Sequence, residues 1–210
     1  MTTAGTAGRS DTLLDRSDET RGARITMSIA DLYFMLAAAI VAGVAAWTDY
    51  RTGHIPNWLT LGALAVAPVA HFGVAFATTG SLDEAIVGAG YSLIGACVVG
   101  LVPVMLYRMG GTYGGDVKLL AAIGAICGTR LGIEAELFAF IVGSAYALGR
   151  LAYQGKLLRT LGNSFRLVFN PLLPKAKRVE IVPEMMTEIR FGPAIFVGVV
   201  GAVFMQWRPM

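Results

Sequence analysis

The sequence predicts an all-α protein, a polytopic membrane helix bundle with about six transmembrane segments, one of them short. Three observations carry that reading. Of the 210 residues, 55% are hydrophobic and only 15% charged, which leaves too little polar surface to cover a soluble globule. The mean hydropathy is +0.63, and the apolar residues gather into runs close to the roughly 20 residues that a membrane helix needs. Those runs are rich in Gly and Ala, which lets helices approach closely. A chain of this length has room for one bundle and little for a separate soluble domain.

Residues 1–26 stand apart, being rich in Thr, Ser, Gly and balanced charge. They have no apolar face to bury and read as a disordered polar tail. No short apolar core follows a basic start, so a cleaved secretory signal is not expected, and Met27 is a second candidate start. Residues 27–210 read as a single integral membrane domain. Hydropathy places spans near 30–48, 58–78 and 85–107, a short apolar stretch at 117–128, then spans at 132–153 and 192–207. Gly124 and Gly128 form a GxxxG pair. Cys97 and Cys127 fall in apolar runs without CxxC spacing or a neighbouring His cluster, which argues against zinc or a disulfide framework.

Charge sets the expected orientation. The stretch 150–191 holds Arg150, Lys156, Arg159, Arg166, Lys175, Lys177, Arg178 and Arg190, whereas the 79–84 turn holds only Asp83 and Glu84. The positive-inside rule therefore puts 150–191 in the cytoplasm, with the 49–57 and 108–116 loops on the same side and the amino terminus outside. Within that stretch, residues 156–169 gather Leu157, Leu158, Leu161, Phe165 and Val168 on one face, as an in-plane interfacial helix would. The net charge of +3 follows from such loops, and no nucleic-acid partner is called for.

Two carboxylates sit at the ends of apolar runs on the expected cytoplasmic side. Asp49 closes the first run in "AAWTDYRTGHIPNW" and Asp116 opens the fourth in "RMGGTYGGDVKLLAAIG". A lone Asp beside Arg51 or Lys118 is ordinarily a helix cap or a solvated interface residue. The context argues for more. Gly110, Gly111, Gly114 and Gly115 make a flexible turn in which a backbone can approach a substrate. The helix that follows is short, a form tolerated at membrane depth only against protein or a water-filled cavity. After Asp49, Ile55-Pro56-Asn57 fixes a sharp entry to the next span.

These residues carry a resemblance. Asp49-x-Arg51 with Ile55-Pro56-Asn57 is similar to the first aspartate motif of the type IV prepilin peptidases, and Gly115-Asp116-Val117-Lys118-Leu119-Leu120 to their GxGD motif and the helix beyond. Phe191-Gly192-Pro193-Ala194-Ile195 resembles the start of their last helix. Size and topology extend the likeness over roughly residues 28–207, to the short form found with tight-adherence (Flp-type) pilus systems. One position departs: GxGD read strictly places glycine at 113, where this chain has Tyr113.

The resemblance implies an intramembrane aspartic endopeptidase with Asp49 and Asp116 as the catalytic pair, needing no metal or other cofactor. Peptide hydrolysis without a nucleophilic side chain requires a base to deprotonate water and an acid to support the carbonyl oxygen and the leaving amine. Two adjacent carboxyls that share one proton supply both. The sequence leaves open which of them is the base. Gly114, Gly115, Lys118, Arg51, Pro56 and Asn57 are expected to bind substrate or shape the loops. The implied substrate is a prepilin or pseudopilin precursor cut where its basic leader meets an apolar helix, at the cytoplasmic face of the bacterial inner membrane. Membrane lipids and pilus assembly machinery are the other implied partners. The first loop lacks the cysteine-containing domain of longer relatives, so methylation is not implied.

The remaining polar residues have plainer readings. His54 is a solvated loop residue or tunes the pair, and His71 is hydrogen-bonded within the bundle. Lys118 and Arg51 balance carboxylate charge or touch lipid phosphates. Glu134 and Glu136 are read as interface residues at the outer end of the fifth span. Two other function classes use the same aspartates differently. A small proton- or cation-coupled transporter would place them on an ion path, but would be expected to show repeated halves or paired broken helices. A non-catalytic secretion or pilus assembly subunit would leave two spaced aspartate motifs unexplained.

Overall fold

A computed structural model describes residues 29–153, 155 and 190–206. The expected tail at 1–26 and the interfacial helix at 156–169 lie outside the described residues. Five helices follow in order: α1 Ile29–Thr52, α2 Asn57–Thr79, α3 Leu82–Arg108, α4 Gly114–Tyr153 and α5 Gly192–Gln206. The protein is all-helical among the described residues. α1 to α4 are each long and apolar enough to cross a membrane, and α5 is a shorter apolar helix.

Local chemistry explains where the helices stop. At the end of α1, Gly53 takes φ 66°, and its N–H donates to the Asp49 carbonyl at 2.8 Å, a left-handed stop open to a residue without Cβ. Gly80 ends α2 in the same way, at φ 67° with its N–H on Phe76 O. Ser81 is then extended, and Asp83 and Glu84 lie in the first turn of α3, where the positive end of the helix favours acidic side chains. Pro56 is extended at φ −64°, ψ 131° immediately before α2. Pro in that place gives up no helical hydrogen bond.

The short stretch expected at 117–128 and the span expected at 132–153 form one 40-residue element, α4, broken at Gly128 (φ 76°, ψ −175°). The chain folds back there. In a straight helix, residues eight apart lie about 12 Å apart along the axis, yet a Cβ on Gly132 would lie 3.1 Å from the Cα of Gly124. A break leaves the carbonyls before it short of partners, and neighbouring helices supply them. Ser92 of α3 donates to Ala125 O at 2.7 Å. His71 of α2 pairs through Nε2 with Ile126 O at 2.9 Å, its ring stacked on Phe34 with centroids 3.9 Å apart. His71 is thus a bundle hydrogen-bonder, as the sequence reading has it.

α4 packs against every other helix and supplies much of the fully buried core, including Leu119, Leu120 and Ile123. With lipid outside, packing rather than water exclusion must hold helices together, so small residues carry the crossings. Ala38, Ala42 and Ala45 line the buried side of α1. α3 and α4 cross backbone to backbone at Gly95 and Gly124, where a Cβ on either would collide with the other's carbonyl oxygen. The two glycines of the GxxxG pair therefore divide the work: Gly124 makes the crossing and Gly128 the turn.

Candidate active site

The end of α1 with the turn after it, the start and the later part of α4, and the segment that opens α5 line an open cleft of about 1150 Å³. Asp49, in the last turn of α1, and Asp116, in the first turn of α4, both line it. Their burial is not that of solvated caps, since Asp49 is 7% and Asp116 3% exposed.

Each is held by named partners. Asp49 Oδ2 accepts a hydrogen bond from the Gly192 backbone N–H at 3.0 Å. That N–H opens α5 and has no partner in its own helix. Asp116 Oδ2 accepts from the Thr112 hydroxyl at 3.2 Å, while the Asp116 N–H donates to Tyr113 O at 3.1 Å and starts α4.

Two contacts fasten the first aspartate motif to the second. Ile55, 4% exposed, lies against Gly115, where an added Cβ would come within 3.3 Å of the Ile55 Cβ. Lys118 Nζ donates to Asn57 Oδ1 at 2.9 Å. Pro56 stands between these contacts, and its carbonyl receives the Leu59 and Thr60 N–H groups that begin α2. Ile55 and Asn57 of the first motif thus touch Gly115 and Lys118 of the second.

Three expectations need correction. Of the loop glycines, only Gly110 uses a left-handed backbone (φ 76°); Gly114 and Gly115 belong to the first turn of α4. Gly115 thus lies in a helical turn in close approach to Ile55, not in a flexible loop. Arg51 does not line the cleft: its guanidinium lies over the Trp47 ring, 4.5 Å from the centroid. That stacking uses the ring's negative face and leaves Arg51 on the outer surface of α1. Glu136 is not an interface residue, being 6% exposed with Oε1 lacking a hydrogen-bond partner among the described residues. Glu134 does behave as a surface group, pairing with Arg130 at 3.5 Å and accepting from Gln206 at 2.8 Å.

A buried acceptor without a partner costs stability, and its replacement by an apolar group of similar shape relieves that cost. Glu136→Met is therefore expected to keep or raise the thermal midpoint in detergent and to leave the protein's activity within about threefold. Loss of activity in a stable Glu136→Met protein would make Glu136 part of the working site.

The segment 190–192 joins the site, a role the sequence does not mark beyond the helix start at Phe191-Gly192-Pro193. Arg190 donates through Nη1 to the Tyr50 carbonyl. The Phe191 ring fills the space that a side chain at Gly143 would take and lies 5.6 Å from Phe140. A glycine before a proline at a helix start was the available signal. Nothing local linked it to Asp49, 143 positions away. Tyr113, where the GxGD pattern has glycine, lines the cleft and is 56% exposed. His54, Tyr146 and Arg150 line it as well.

Two aspartates from different helices, buried at one open cleft, are an arrangement suited to acid–base hydrolysis. The family model described as "Type IV leader peptidase family" matches residues 35–148, more than half of the chain. The chain belongs to the type IV leader peptidase family. The family indicates a peptidase, and the long apolar helices are those of a multi-pass membrane protein. Both aspartates fall inside the matched stretch, whereas Arg190 and Gly192 lie beyond it. No curated protein and no solved structure matches the chain.

Proposed function

We propose that this leader peptidase is an aspartic endopeptidase that removes the basic leader from Flp-type prepilin or pseudopilin precursors at the cytoplasmic face of the bacterial inner membrane, with Asp49 and Asp116 as its catalytic pair. One observation carries the proposal: two buried carboxyls on separate helices share a single open cleft. With one proton between them, the charged member takes a proton from water while the protonated member gives its own to the scissile carbonyl oxygen. The water oxygen bonds to the carbonyl carbon, and a gem-diol forms. In the second half, the C–N bond breaks, the departing nitrogen takes a proton from the first carboxyl, and a diol hydroxyl returns one to the second. Atoms and charges balance over the cycle, with one water consumed.

The substrate class is the one the family implies, and the site's position at the ends of apolar helices supports it. A precursor with a polar leader and an apolar helix would lay the helix in the membrane and bring its junction to the cleft. Residues 1–26 are proposed as a polar tail outside the catalytic unit, 27–210. Arg51, turned outward on Trp47, is placed to meet lipid phosphates. Pilus assembly machinery is the proposed recipient of the product.

Incubating the purified protein with a precursor should yield the shortened product, and a folded protein that leaves the precursor intact would remove the peptidase reading. A transporter using the same carboxylates would instead carry protons or cations across vesicles and leave the precursor uncut. The orientation has its own test. In a background without native cysteines, Thr52→Cys and Met109→Cys should react with an impermeant thiol reagent from the cytoplasmic side, and Thr79→Cys from the other. The reverse pattern would turn the cleft outward and exclude the proposed face.

A further inference from the structure

Residues 190, 191 and 192 each dock on a different part of the site. Arg190 donates to the Tyr50 carbonyl, one of the carbonyls left over at the end of α1. Phe191 seats its ring against Gly143 and Phe140 of α4. Gly192 donates its N–H to Asp49 Oδ2 at 3.0 Å. The bonds run both ways between α1 and α5: a side chain of α1 caps the start of α5, and a side chain just before α5 caps the end of α1. A spare N–H at the positive end of a helix is well suited to a carboxylate. The approach has no slack, since a Cβ on Gly192 would lie 2.8 Å from Asp49 Oδ2 and 2.9 Å from Asp49 Cβ.

We infer that Gly192 is a positioning residue for Asp49, its N–H fixing Oδ2 so that Oδ1 is left to meet water, with Arg190 and Phe191 holding that N–H in place. The last helix then belongs to the active centre although the family match ends at residue 148. This inference rests on the peptidase reading, and it accounts for three features together. Position 192 must lack a Cβ, Asp49 is buried yet hydrogen-bonded, and three consecutive side chains or amides engage three separate partners. A carboxylate free to rotate in an open cleft would present its reacting oxygen only part of the time. One fixed oxygen confines the other to a single direction.

Two measurements test it. The first needs no peptidase activity. Labelling Phe carbonyl carbon and Gly nitrogen selects the two Phe-Gly pairs, Phe72-Gly73 and Phe191-Gly192, and a Gly73→Ala variant identifies which resonance is which. The Gly192 amide proton is expected downfield and slow to exchange. It should move when Asp49→Asn changes its acceptor, and stay nearly still in Asp116→Asn. The second replaces the Gly192 amide by an ester, which deletes the N–H and adds no atom that could collide. The turnover number kcat is expected to fall about tenfold to thirtyfold, with KM within twofold and the thermal midpoint lowered by only a few degrees, the cost of one unpaired buried acceptor. A Gly192 resonance indifferent to Asp49→Asn, or an ester variant with full kcat, would overturn the inference. A protein that cuts no precursor but shows the Asp49-dependent resonance would remove the peptidase reading and leave the contact standing, so the two failures are distinct.

Discussion

Asp49→Asn and Asp116→Asn are each expected to lower precursor cleavage by about 10²–10⁴-fold while the protein inserts and folds as before. The structure explains why folding should survive. An Asn at 49 can still turn its carbonyl oxygen to the Gly192 N–H, and one at 116 can still accept from Thr112, so the bonds at 3.0 Å and 3.2 Å keep their acceptors. The ability to carry or release a proton is what disappears. Because the pair acts as one unit, the double variant should fall little further than either single one. Losses that multiply would mean the residues act separately. Substantial cleavage by either single variant would remove that residue from the pair.

Gly115→Val is expected to lower cleavage by about tenfold to a hundredfold, through the meeting of the two motifs. A Cβ at 115 already comes within 3.3 Å of the Ile55 Cβ, and the two methyls of valine have nowhere to go while Ile55 stays buried. The Gly53–Pro56 turn must shift, and with it the end of α1 that carries Asp49. The adjacent glycine provides a control within the same turn. A Cβ at Gly114 meets only the Tyr107 ring at an ordinary 3.7 Å, so Gly114→Ala should retain most activity. If flexibility were the requirement, the two positions would respond alike. Steady-state cleavage rates of both variants, normalised to folded protein, decide between these causes.

The helices were legible because apolar run length is a strong signal and their ends carry local chemistry. Gly80, Ser81 and Pro56 lie where the helices stop and start, and the run boundaries fall near them. The two aspartates were legible because each stands at an abrupt change from apolar to polar sequence. What could not be read depends on which helices touch. Whether Gly115 serves flexibility or close approach is decided by Ile55, 60 positions earlier, and no periodicity reveals that contact. Gly128 read as a packing residue, although its backbone makes the fold-back within α4. Glu136 looked like one of two interface acids, but it is the neighbour on the inward face. The Gly192–Asp49 bond joins the two ends of the described chain, and sequence spacing carries no information about it.

The central claim is that the cleft shared by Asp49 and Asp116 hydrolyses one peptide bond of a leader-bearing precursor. The most direct measurement is the intact mass of both products after purified protein, in detergent or vesicles, meets a precursor with a basic leader and an apolar helix. The account predicts two fragments whose masses sum to the precursor plus one water, from a single cut at the leader–helix junction. It also predicts that neither fragment forms with Asp49→Asn or Asp116→Asn. An uncut precursor in the presence of folded native protein, or the same fragments from both variants, would contradict it.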